Sequence, residues 1–149
     1  MSDSGQGERC IFLVKIHRTM NKTNIILWIF RILAALIMLQ TLYFKFSAQP
    51  ESVHLFTTLG MEPWGRIGIG SLELIASILI LYPRTTPYGA LLGLGLMAGA
   101  IFFHLTRLGI KWDGDYTLFI YAMIVFISCT VLTIAYRNVL LQRIGFNKT

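Results

Sequence analysis

Arg31, Gln40, Lys45, Arg66, Glu73 and His104 stand in or beside long apolar stretches, and their types and spacing limit the chemistry this chain can carry. A charge near the middle of a bilayer costs at least roughly 2.5 to 3.5 kcal/mol, so each ionisable group there needs a partner or a task. Seven-residue spacing returns a side chain to nearly the same helix face. Arg31, Met38 and Lys45 therefore share one stripe, and Arg66 and Glu73 share another. Counted from the nearer ends of their apolar stretches, Arg31 and Glu73 lie at one depth, which predicts a direct ion pair between them. Such a pair either fixes the packing of two helices or belongs to a proton path or ligand pocket. Lys45, Arg66, His104 and Gln40 fall at a second common level. There they either form a basic, hydrogen-bonding vestibule or act separately, the cations reaching headgroups and the histidine satisfying a carbonyl.

Other chemistries find no support in the spacing. The chain has no phosphate-cradling glycine motif, nucleophile elbow, zinc-helix motif or CxxC. Cys10 and Cys129 are too differently placed for an intrachain disulfide, His54 and His104 are a poor haem pair, and the scattered Met residues read as core filling. The expectation is no metal, no catalysis by this chain alone and no nucleic acid, because the cations flank apolar segments instead of alternating with aromatics.

The elements that position these residues follow from composition. Hydrophobic residues make up 55% of the 149 and charged ones 13%, about half the roughly 25% charged content of soluble domains. Four apolar stretches run from Ile25 to Phe44, Trp64 to Tyr82, Tyr88 to Leu105 and Tyr116 to Tyr136. Each is long enough to cross a hydrocarbon core of ~30 Å at ~1.5 Å per residue. Lipid offers backbone amides no partner, so the spans must be helices. The fold class is all-α, a transmembrane four-helix bundle. Aromatic residues at the span ends, among them Trp28, Trp64, Trp112 and Tyr136, suit the headgroup layer.

Arg9, Lys15, Arg18, Lys22, Arg84, Arg137, Arg143 and Lys148 share one side of the membrane, against Lys45, Arg66, Arg107 and Lys111 on the other. The positive-inside rule then makes both termini cytoplasmic. Residues 1–23 read as a polar, loosely ordered tail, 24–137 as the membrane domain and 138–149 as a second tail. Pro50, Glu51 and Gly60 mark the start and stop of a short interfacial helix between helices one and two, with Val53, Phe56 and Leu59 on one apolar side. Residues 106–117 read as a polar turn. On helix three Gly89, Gly93, Gly95 and Gly99 predict close backbone approach to a neighbour, and His104 faces the bundle.

From Arg31 to His104 the pattern resembles the DoxX family of small four-helix membrane proteins. The resemblance is carried by Arg31, by Lys45 in YFKF, by LFTTLGMEPWGR, by the glutamate of SLELIASILILYPRT and by GLGLMAGAIFFHL. Where relatives commonly have a glycine before the lysine, this chain has Gln40 and Thr41. The resemblance implies the four-helix fold and, because the family is named for a protein grouped with a thiosulfate:quinone oxidoreductase system, a tie to membrane redox assemblies. The expected role is an accessory or ligand-holding subunit of a membrane redox or envelope-stress assembly in the bacterial inner membrane. Its partners would be lipids, membrane or peripheral redox proteins and further copies of itself, with a quinone as the ligand to consider. A structural or assembly factor, and a small transporter or proton-path component acting as an oligomer, are the alternatives.

Overall fold

A computed structural model describes the backbone of residues 4–112 and 114–143, and the side chains of residues 24–112 and 114–141. The tail expected over residues 1–23 lies outside the side chains described. The elements are α1 (Ser4–Phe46), α2 (Pro50–Thr58), α3 (Trp64–Leu81), α4 (Thr86–Phe103), a π-helical turn (His104–Leu108), α5 (Thr117–Ala135) and α6 (Arg137–Arg143). The described residues are thus all-helical. Four helical segments are long and apolar enough to cross a membrane: Asn24–Phe46, Trp64–Leu81, Thr86–Leu108 and Thr117–Ala135. At ~1.5 Å per residue they measure about 27 to 35 Å, the thickness of a hydrocarbon core.

The four spans pack as a ring in which α1 meets α3 and α5, and α4 meets α3 and α5. Ala34, Ala76, Ala90 and Ala122 are buried beside Met38, Ile80, Met97, Val125 and Leu132. Small residues at these positions let the helices approach, which matters in lipid because apolar burial alone does not favour one helix neighbour over another. Large apolar side chains such as Ile29, Leu36, Ile78, Ile127 and Ile134 point outward, where the bilayer is their solvent. Part of the expected C-terminal tail is ordered: α6 packs against α4, with Leu140 buried.

The two ends of the bundle are built differently. At one end α3 turns tightly into α4, and side chains cap the carbonyls left over where α3 stops. Thr85 Oγ1 donates to Leu79 O at 2.9 Å, Thr86 Oγ1 lies 3.1 Å from both Ile80 O and Tyr82 O, and Arg31 covers Ile80 O and Leu81 O. The other end carries α2, with Pro50 in its first turn and Gly60 at φ +70 just beyond it. Phe56 of α2 is buried and anchors the helix across the bundle end.

Candidate functional site

The predicted Arg31–Glu73 ion pair does not form. Arg31 Nε donates to Ile80 O at 2.9 Å and Nη2 to Leu81 O at 2.7 Å, while the guanidinium lies over the Trp28 ring, 3.9 Å from its centroid. Glu73 instead pairs with Lys45, Nζ to Oε2 at 2.7 Å. The reason is the direction in which helical side chains lean. Contacts of Arg31 with Ile80 and of Arg66 with the Lys45 carbonyl set the antiparallel register of α1 and α3, and place Met38 opposite Glu73. Every Cα–Cβ bond tilts toward its own helix N-terminus. Lys45 therefore leans back toward mid-bundle and Glu73 leans toward the α2 end, so the two meet. Arg31 leans away from Glu73, toward the end of α3. There its fixed fork of donors meets carbonyls that carry the negative end of the helix dipole.

Thr41 completes the Lys45–Glu73 contact. Its Oγ1 is 3.3 Å from both Lys45 Nζ and Glu73 Oε2, and 2.9 Å from Met38 O. Gly70 faces the same lysine: a Cβ there would lie 3.6 Å from Lys45 Cβ. Glu73 is buried and Lys45 half-buried, with 5% and 14% of their side chains accessible.

Beneath α2 lies a cavity of about 490 Å³. Of the residues singled out from the sequence, Gln40, Lys45, Glu73 and His104 line it, and Leu55, Phe56 and Leu59 form its roof. Arg66 does not reach it. Its guanidinium is taken up by Glu62, at 2.7 and 3.0 Å from Nε, and by the Lys45 carbonyl, so it braces the α1–α3 contact from behind. The vestibule expected from Lys45, Arg66, His104 and Gln40, residues of the first three spans, is also corrected in its walls, because α5 contributes Thr117, Leu118, Tyr121 and Val125.

His104 sits where α4 widens into the π-helical turn that ends at Gly109, whose φ of +80 suits glycine. The turn brings the Gly109 carbonyl within 3.0 Å of His104 Nδ1. A carbonyl only accepts, so Nδ1 carries the proton and, in the neutral ring, Nε2 is left as an acceptor. No described protein group bonds Nε2, although His104 is only 5% exposed and lines the cavity. Its ring meets Phe119 edge to face at 5.8 Å.

Trp112 also lines the cavity, with its ring 5.2 Å from that of His54 and its Nε1–H enclosed without a partner among the described residues. From the sequence Trp112 read as an interface anchor. Nothing in its spacing signals the bridge to Asp115, Trp112 N–H to Asp115 O and the reverse, both 2.9 Å, that folds it over the cavity. Asp115 stands at the mouth, where Thr117 Oγ1 donates to Oδ2 at 2.6 Å and holds the carboxyl below the usual carboxylate range.

Among the described residues the arrangement combines an apolar chamber, the Lys45–Glu73 charge pair, an acceptor and a donor without protein partners at His104 and Trp112, and exposed carboxylates at Glu51 and Asp115. It can hold a small molecule by hydrogen bonds at few points. Among the described residues no group of His, Cys, Asp and Glu is placed to bind a metal. No curated protein and no solved structure gives a significant match to the chain. A family model described as DoxX-like matches residues 29–133, from before the Arg31 contact through all four spans almost to the end of α5. A chain matched over this much of its length, with four membrane-length helices around a polar-tipped cavity, belongs to the DoxX-like family of multi-pass membrane proteins.

Proposed function

We propose that this protein is a ligand-holding, non-catalytic subunit of a membrane redox or envelope-stress assembly in a bacterial inner membrane, with a quinone as its ligand. The observation that carries the reading is the cavity under α2, into which Lys45, Glu73, His104 and Trp112 converge from different elements. Apolar chambers with a few convergent polar groups are the usual form of small-molecule sites. A quinone carbonyl accepts hydrogen bonds, which suits the Lys45 ammonium and the Trp112 N–H. The apolar remainder of the lining suits a ring and the start of a tail. Holding is favoured over a proton path because Arg31, one of the three groups such a path would use, is spent on the carbonyls of α3 at the far end of the bundle.

Purification of the full chain in mild detergent, native mass spectrometry and extraction of bound lipids test this. A quinone retained by the wild-type protein and lost from Lys45→Met supports the reading. A folded, defined oligomer that carries no quinone favours the structural or assembly role instead.

A further inference from the structure

We propose that the cavity is filled sideways from the bilayer, by an amphiphile with an uncharged hydroxyl or carbonyl head that passes between α3 and α4 at Gly95 and Gly99. This inference rests on the ligand-holding reading above and adds the route and the class of molecule.

The glycines of α4 do two different things. A Cβ at Gly89 would lie 2.6 Å from Ile80 N, and one at Gly93 would lie 2.9 Å from Cys129 Sγ. These two allow helices to touch, as small residues in membrane interfaces do. A Cβ at Gly95 or Gly99 would meet nothing within 4 Å, so close packing does not account for them. Both nevertheless line the cavity, and Gly95 is exposed on the outside of the bundle while Gly99 is half-buried. Residues that belong at once to the inner lining and the outer surface mark a gap in the wall.

Helical geometry says which wall. Gly93, Met97, Ala100 and His104 point to the interior, and the contact of Gly89 with Leu79 and Ile80 identifies the flank of α4 that faces α3. Leu96, Phe103, Gly99 and Gly95 follow in order around that flank, and Ile69 of α3 lines the cavity opposite. The contacts that hold α3 to α4 at the Pro83 end, namely Gly89 and the hydroxyls of Thr85 and Thr86, have no counterpart at Gly95 or Gly99. The gap opens on a surface where Leu72 and Phe102 face the bilayer.

The polar groups inside set the head. Lys45 and Glu73 neutralise one another, so a fully charged head would find no net counter-charge at the pair. Among the described residues an acceptor, His104 Nε2, and an enclosed donor, Trp112 Nε1–H, remain without a protein partner inside, while the lining carboxylates Glu51 and Asp115 stand at exposed positions. A hydroxyl or a carbonyl answers one or both.

The test uses the full chain in lipid nanodiscs and hexadecan-1-ol carrying a mid-chain diazirine as probe, with adduct sites mapped by mass spectrometry after irradiation. The expected result is labelling of interior residues such as Met97 and Val125 in the wild-type protein, severalfold weaker in Gly99→Phe. Gly68→Phe is the matched control: Gly68 is exposed, has nothing within 4 Å of its Cβ position and does not line the cavity. It should label as wild type. If Gly99→Phe fails to fold, Gly99→Val takes its place with a smaller expected loss. Interior labelling unchanged by either plug, or lost instead from Gln40→Trp on the α1–α5 side, overturns the route. Absence of interior labelling in the wild-type chain overturns the ligand-holding reading itself.

Discussion

Replacing Lys45 by Met strands Glu73 inside the bundle, and the size of the effect follows from the geometry. At the observed 2.7 Å, and with an effective dielectric constant near 20, the Coulomb attraction is about 6 kcal/mol. Removing two ions from water costs several kcal/mol each, so the intact pair contributes little net stability. Breaking it is a different matter. Without Lys45, Glu73 keeps only the Thr41 hydroxyl among the described side chains, and the loss should be about 3 to 5 kcal/mol. Glu73→Leu should cost less, because the Lys45 side chain is the more exposed partner and can extend toward the α2 end of the bundle. The double variant Lys45→Met/Glu73→Leu leaves an apolar contact and should be more stable than Lys45→Met alone. Reversible unfolding in mixed micelles of wild type, both single variants and the double variant gives the coupling. Values that add within about 0.5 kcal/mol would show that the two residues do not interact and would refute the reasoning.

Arg31→Lys should lower stability in the same assay by about 1 to 3 kcal/mol, since a point charge cannot cover both the Ile80 and Leu81 carbonyls, and its effect should be additive with Glu73→Leu. Gly89→Ala should destabilise clearly, because its Cβ would overlap the backbone of α3, whereas Gly95→Ala should leave the melting temperature unchanged. The Asp115 carboxyl, held low chiefly by the Thr117 hydroxyl, should titrate below the ordinary carboxylate range. Its stabilising contribution is present above the unfolded-state pKa and is lost as pH falls through the depressed folded value. Thr117→Val should move the titration upward, as read by carboxyl carbon NMR. With the native cysteines replaced, Arg84→Cys should react with an impermeant maleimide only in inverted vesicles and Glu51→Cys in intact cells; the opposite pattern would reverse the orientation.

The number of spans, their helical nature and the α2 start at Pro50 were legible in the residues, because lipid imposes one rule on every backbone group and a length requirement on every span. The two stripes that carry Lys45 and Glu73 were legible too, since each depends only on helical period. Their pairing was not. Depth counted from segment ends treats side chains as points at their Cα atoms, whereas the tilt of each Cβ displaces Lys45 and Glu73 toward one another and Arg31 away. Arg66 shared the stripe but was drawn off by Glu62, one turn earlier on the chain. The glycines of α4 carry the same lesson. Composition marked all four as small, and only the positions of α3 and α5 decided that Gly89 meets Ile80 and Gly93 meets Cys129 while Gly95 and Gly99 face open space. Periodicity determines which face a residue occupies. What that face meets depends on the register and spacing of a second helix, which no local pattern encodes.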